Sequence, residues 1–332
     1  MSPREIFLAK LRGESSTRAA VGSATSIVTS DLMDEVGAWF PEAHLDAEPM
    51  ARLAAAGHTL LGFDNVMPLF SVWHESAALG CPVNWGTRTR MPDCRDRLCG
   101  DIGELPVIPP GLLKHPGCAV PLEAIGRLRR ELGETAAVVG KVFGPWTLGY
   151  HVYGVDRFLM ATIDKPDSLR RAMRCLMEVS VRFGVAQIEA GADAITLADH
   201  ATRDLCSPAN YRDFLLEMHR ELHERLPCPL ILHICGDTSD RIPYIATTGI
   251  ECFHFDSKVP TVTASKLAGD RLALMGGTSN FRVVREGTPE LIAADVAEKA
   301  AHRIDIIGPE CAVPLDAPWR NLRLLAREGK RV

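Results

Sequence analysis

The chain has 332 residues, 46% hydrophobic and 24% charged, an ordinary globular mixture able to bury a large core at about twice the usual domain length. Its net charge of −5 offers no basic field for nucleic acid or an anionic membrane surface. Ten scattered cysteines, no run of 18 apolar residues and no signal-peptide core in Met1–Gly13 point to a cytoplasmic protein with free or metal-bound thiols, not a disulfide scaffold or a membrane protein.

Strand-like apolar runs follow one another at Arg18–Ala24, Leu60–Met67, Ala136–Val142, Ala192–Ala198, Pro229–Ile234, Ile250–Phe255, Leu272–Met275 and Asp305–Ile307. Helical patterns alternate with them at Ala47–Gly57, Pro121–Leu132, Pro166–Ala190, Pro208–Arg225, Ser239–Thr247, Ala264–Leu267, Pro289–Ala301 and Pro318–Arg327. Many of these open with Pro or follow Asp or Ser, as helix starts do. Eight such strand–helix units predict an α/β fold, a single (β/α)8 TIM barrel over residues 1–332, more readily than an open doubly wound sheet. An N-terminal helical extension precedes the first strand. Residues 72–116 are long and irregular, and we read them as an inserted loop region over the barrel mouth.

In a barrel, chemistry belongs at the carboxyl ends of the strands. His233 and Cys235 in LILHICGD stand two residues apart at such an end, on one face of the chain by the period of a strand. Cys311 follows the last predicted strand, at the same mouth. One imidazole and two thiolates suit zinc, and three protein ligands leave the open position of a catalytic site. The bland alternative is three buried core residues.

Other motifs are weaker. HRELH at 219–223 has Arg where a zinc protease has Glu, and reads as a solvated helix face. Cys94 and Cys99 lie in the irregular loop, either as a second metal or redox pair or as plain thiols. GGTSN at 276–280 is slender evidence for phosphate binding. Asp199 at the end of the fourth strand has two readings, orienting a ligand or capping a helix. GPWTLG at 144–149 is either a turn offering its backbone to a ligand or a simple tight turn. Phe70, Trp73 and Trp85 read as a hydrophobic wall near the entrance or as packed core.

HICGD (233–237), GADAITLAD (191–199), KVFGPWTL (141–148), GPECAVPLDAPWRNL (308–322) and WFPEAH (39–44) together resemble the uroporphyrinogen decarboxylase superfamily. Within it the sequence is most similar to the methylcobalamin:coenzyme M methyltransferase branch. The resemblance implies a (β/α)8 barrel with a catalytic Zn2+ on His233, Cys235 and Cys311, and Asp256 at the place of a fourth, carboxylate ligand. In the resemblance the counterpart of GPWTLG lines the cleft, and we take Trp146 from that segment, with Asp199 at the end of the fourth strand, as cofactor-binding residues. The resemblance argues against decarboxylation, since residues 20–37 contain none of the arginines that would hold a polycarboxylated tetrapyrrole.

The function these features imply is methyl transfer from a methylcorrinoid to a small thiol, with coenzyme M as the implied acceptor. The Asp-x-His-x-x-Gly pattern that supplies a cobalt ligand is absent, so the corrinoid is expected on a separate corrinoid protein. Two other functions compete: a corrinoid-dependent methyltransferase with tetrahydrofolate as acceptor, and a non-catalytic partner of a corrinoid protein. The complete His-Cys-Cys set argues against the folate enzyme, because a folate amine needs no thiol activation.

Overall fold

The computed structural model describes residues 1–332. Eight parallel strands, β1 (Ala20–Val21), β2 (Asn65–Val66), β3 (Ala137–Phe143), β4 (Ala194–Ala198), β5 (Leu230–His233), β6 (Cys252–Phe255), β7 (Ala273–Thr278) and β8 (Ile306–Pro309), each lie within or over one of the predicted runs. They pair in the order β1-β8-β7-β6-β5-β4-β3-β2, with every residue of every strand buried. The fold is a (β/α)8 TIM barrel, as the alternation predicts.

The seam between β1 and β2 is closed partly by side chains. Asn65 stands in for a strand edge, its Oδ1 accepting from Ser23 N at 2.9 Å and its Nδ2 donating to Ser23 O at 2.8 Å. Beside it Asp64 N donates to Val21 O at 2.8 Å while Asp64 Oδ2 accepts from Val21 N at 2.9 Å. Asp64 is fully buried, and Arg18 neutralises it through two bonds of 2.7 and 2.8 Å. A buried carboxylate without that guanidinium would be costly.

The helix Pro3–Leu11 begins in a capping box of Ser2 and Glu5 and contacts β1, β2, β3, β7 and β8. Arg4 ties it to Asp193 at the start of β4 at 2.6 Å, so it covers the amino-terminal mouth. Chemistry is left to the other end. No helix is long and apolar enough to cross a membrane.

Several helices differ from the sequence expectation: that expected at Ser239–Thr247 is confined to Ile242–Ile245, and that at Ala264–Leu267 extends over Thr261–Ala268. The helix expected from Pro121 starts at Pro116, where the His115 ring accepts from Gly117 N at 3.0 Å and supplies the cap. Residues 144–149 are not a simple turn, because Pro145–Tyr153 is a helix. All nine of its residues are buried, so no polar face marks a helical period. A second helix, Val155–Asp164, follows directly. The predicted Pro208–Arg225 helix is widened at Tyr211–Leu215 into a five-residue turn, a departure common beside functional residues.

The inserted region carries a short helix, His74–Leu79, and docks on the carboxyl end of β3. Glu75 Oε1 accepts from Phe143 N at 2.8 Å, and Ser76 Oγ meets the His151 ring at 2.7 Å. Trp73 stacks on that same ring at 4.0 Å.

Candidate metal centre

His233 ends β5, Cys235 sits two residues beyond, and Cys311 lies just past β8. The Cys235 Sγ is 3.1 Å from His233 Nε2 and 3.2 Å from Cys311 Sγ, and the third edge, Cys311 Sγ to His233 Nε2, is 3.5 Å. His233 is buried and both thiols are half-buried, so the cluster opens to one side. The donors of a tetrahedral zinc stand roughly 3.5–3.8 Å apart, given bond lengths of about 2.0–2.3 Å. The observed triangle is up to about half an ångström tighter, its three donor atoms lie together within reach of one ion, and the residues fit such an ion. The Cys235 thiol hydrogen-bonds Cys311, which lowers the Cys311 pKa well below the ordinary thiol value and raises that of Cys235. For both to be thiolates at this separation, a cation would have to lie between them.

A residue that the motif reading missed sets the direction of the histidine. His254 on β6 is paired in register with His233 on β5. Its Nε2 lies 2.8 Å from Pro309 O, which only accepts, so His254 carries its proton there. Its Nδ1 is thereby an acceptor, and stands 2.7 Å from His233 Nδ1, which must donate. The lone pair of His233 is left on Nε2, the atom facing the two sulfurs. A carbonyl thus favours one tautomer of a metal ligand through one intervening imidazole, and the His254 backbone O, 3.3 Å from His233 Nδ1, favours the same one. Gly276 makes room for this: a Cβ there would lie 2.6 Å from the His254 ring. Burial pushes the His254 pKa down to about 3 and keeps it neutral.

Two further residues hold the loops that carry the thiols. Asn280, the last residue of GGTSN, donates its Nδ2 to Cys311 O at 3.1 Å and Ala312 O at 2.9 Å. Glu310 accepts from Asn280 N and Ser257 N at 2.8 and 2.9 Å, lashing the Cys311 loop to those after β6 and β7. The GGTSN segment therefore supports the Cys311 loop instead of forming a phosphate cradle.

The other expected residues fall into different places. Asp256 lies outside the donor cluster: its Oδ2 accepts from Gly236 N at 2.8 Å and its Oδ1 from Lys258 N at 2.9 Å. It braces the HICGD turn, where Gly236 has φ +81°. Asp199 is fully buried and accepts from Thr147 N at 2.8 Å and Thr147 Oγ1 at 3.0 Å, so it caps the Pro145–Tyr153 helix from a neighbouring strand. Gly144 permits this approach, since a Cβ there would sit 2.2 Å from the Asp199 carboxylate. Trp146 is also fully buried, packed against Tyr150, Phe158 and Phe214 and donating its indole N–H to the Tyr150 hydroxyl. It offers no surface to a cofactor. HRELH is not a purely solvated face, for His219 is buried with its Nε2 3.2 Å from Asp199 and its Nδ1 3.0 Å from the Tyr211 hydroxyl. Cys94 packs with Trp73 and Cys81, and Cys99 joins the main core. Phe70 and Trp85 gather instead around His44, with ring centroids 6.5 and 6.0 Å away.

A metal-donor cluster at the carboxyl mouth of such a barrel is the arrangement of a barrel enzyme. The family model described as Uroporphyrinogen decarboxylase (URO-D) matches residues 2–332, and the chain belongs to this family. It is 31% identical to the methylated-thiol–coenzyme M methyltransferase of Methanosarcina mazei, over 99% of this chain and 89% of that one. It is 31% identical to the methylcobamide:CoM methyltransferase MtaA of Methanosarcina barkeri, over 96% and 95% of the two chains. The solved structure of a methyltransferase from Methanosarcina mazei covers 100% of this chain and 99% of its own at 30% identity, with a TM-score of 0.96. A B12-independent methionine synthase from a Shewanella species shares the fold at 14% identity and a TM-score of 0.60, covering 95% and 97% of the two chains. Within its family this chain is a methyltransferase.

Proposed function

We propose that the protein moves a methyl group from a methylated corrinoid, carried by a separate corrinoid protein, to the sulfur of a small thiol, with coenzyme M the acceptor that its relatives' names favour. The observation that carries this reading is the His233–Cys235–Cys311 cluster with one open side. Zinc, when bound there, stabilises the acceptor as thiolate at neutral pH, where a free alkyl thiol is only a few per cent ionised.

The chain's own residues do the rest. With a divalent ion bound, Cys235 and Cys311 would both be thiolates, whose two negative charges offset it and would leave the incoming sulfur electron-rich. His233 completes the set through Nε2, held in that tautomer by His254 and Pro309. Asp256, Asn280 and Glu310 keep the two sulfur-bearing loops at their spacing without joining the donor set. The acceptor sulfur attacks the methyl carbon in line: the S–C bond forms, the Co–C bond breaks, and its electron pair stays on cobalt as Co(I).

The test is a metal assay followed by turnover of methylcobalamin with a panel of thiols and with tetrahydrofolate. About one zinc per chain and thiol-dependent demethylation are expected. Zinc-edge X-ray absorption should gain one sulfur neighbour on adding a turned-over thiol, with about one proton released. Turnover with tetrahydrofolate alone, or a sulfur count unchanged by the thiol, would refute thiol activation.

A further inference from the structure

A cavity of about 590 Å³ opens on the outside of the barrel, between the helix Trp319–Gly329 and the loop that leads from the helix Ala47–Thr59 into β2. Arg320, Arg323, Arg327 and Lys330 line it, recurring at three- and four-residue steps so that they share one face of the helix. No Asp or Glu is among its lining residues, and Leu60, Leu61 and Ala326 supply an apolar floor. None of these side chains belongs to the donor cluster. In a chain of net charge −5, four cations around one cavity are a local reversal of sign.

Nearby carboxylates do not absorb this charge. Arg327 lies 3.1 Å from Glu328, but Arg331 holds the same carboxylate at 2.9 Å. Lys330 is 3.5 Å from Asp64, which Arg18 already neutralises through two shorter bonds. The ion pairs of this face end there and leave Arg320 and Arg323 without one. Nor does the helix gain from the arrangement. Arg327 and Lys330 suit the carboxyl end of its dipole, yet Arg320 stands in the first turn, where a cation opposes the dipole and no acidic residue compensates. Arg323 and Arg327, four residues apart, repel each other. A solvated helix face usually interleaves both signs of charge, whereas this one calls for negative charge from outside the chain. Beyond Arg320 a second cavity is lined by Asp31, Asp34 and Glu35, which turn an anion back toward Lys330. From Arg323 to Lys330 the face runs about 10 Å, long enough for several phosphates in a row. The planar guanidinium forks match phosphate oxygens two at a time.

We propose that this cavity is a binding site for an oligophosphate, the chemistry shared by a free inorganic polyphosphate and a nucleoside triphosphate, held chiefly by Arg323, Arg327 and Lys330. The site stands apart from the sulfurs and does not depend on the methyl-transfer reading. Its volume falls within the range of small-molecule sites, about 300–1,000 Å³.

The experiment is isothermal titration calorimetry of the zinc-loaded protein with inorganic triphosphate, ATP, inorganic phosphate and adenosine. Triphosphate and ATP should bind at about one per chain and at least about tenfold more tightly than phosphate, with adenosine silent. Equal affinities of triphosphate and ATP would support the site as one for the phosphate chain alone. Tighter binding of ATP would support it with the base resting on the apolar floor. Arg323→Ser and Arg327→Ser should each weaken triphosphate about tenfold and Arg323→Glu should abolish its binding, with circular dichroism reporting that the helices survive. Arg171→Ser, on the exposed face of another helix, and Cys311→Ala, in the donor cluster, should leave triphosphate binding unchanged. No binding of triphosphate, wild-type affinity in the Arg323 and Arg327 variants, or loss of binding in Cys311→Ala would overturn the site. A thymidine oligonucleotide bound more tightly than triphosphate would overturn it in favour of a nucleic-acid surface.

Discussion

Replacing His254 by Leu tests whether tautomer control matters to the metal centre. The change removes the acceptor 2.7 Å from His233 Nδ1, leaves that N–H only the more distant backbone carbonyl of residue 254 at 3.3 Å, and strands the Pro309 carbonyl. Leaving a buried polar group unmatched and trading a 2.7 Å bond for one of 3.3 Å costs about 1–3 kcal/mol, and it weakens the preference for the proton on Nδ1 over Nε2, where a protonated nitrogen cannot ligate. Since about 1.4 kcal/mol is tenfold in affinity, zinc should bind roughly 10–100-fold more weakly, the loss usual for partners of metal-bound histidines. His254→Asn is the informative control: its side-chain oxygen falls near the position of Nδ1 and can still accept from His233. Competition with a chromophoric chelator measures both affinities, and nitrogen-15 NMR of the apoprotein reads the His233 tautomer directly. Equal zinc affinity in wild type and His254→Leu, or an Asn variant no better than Leu, would refute the chain of reasoning from Pro309 to the ligand.

Three other outcomes are expected. Cys235→Ala and Cys311→Ala should each lose most of the zinc while circular dichroism shows the barrel intact, and full metal retention in either would remove that cysteine from the set. The purified chain should carry no stoichiometric cobalamin and should turn over a methylated carrier protein faster than free methylcobalamin; co-purification of the corrinoid would show that no separate carrier is needed. Glu75 has a folded-state pKa raised by burial from 4.5 to about 7, so the folded protein holds the proton longer and Glu75 subtracts stability as pH rises through that window. Glu75→Gln should therefore gain about 2 kcal/mol relative to wild type between pH 5 and pH 8, by denaturant unfolding. A difference independent of pH would show that the carboxyl does not titrate there.

The strands were legible because each is an apolar run ended by Gly, Asp or Pro, and a parallel barrel buries such runs on both faces. His233, Cys235 and Cys311 were legible for a related reason: chemically distinctive residues at strand ends share one mouth. Asp256 and Asp199 met the same rule but serve as backbone acceptors. A carboxylate after a strand fits a cap or a loop brace as well as a ligand, and only the positions of Gly236 N, Lys258 N and Thr147 decide between them. The Pro145–Tyr153 helix was hidden by complete burial, which erases the polar half of the periodic signal.

His254 and the His44–His74 pair were hidden for a deeper reason. A single histidine in CFHF, or one in PEAH and another 30 residues on in VWHES, resembles the core histidines of many proteins when taken alone. Their meaning comes from neighbours supplied by the barrel: the β5–β6 register sets His254 against His233, and the inserted helix brings His74 to His44. The two cases also differ in how the fold treats its polar atoms. Around the sulfurs the hydrogen bonds are closed, from Pro309 through His254 to His233, which gives a ligand set fixed before any ion arrives. Around His44 and His74 they are left open, at a cost in stability. A donor set held in place beforehand spares the site the cost of ordering three side chains when an ion arrives, which is why the bonds that close around His233 matter more than the ligands' identity alone.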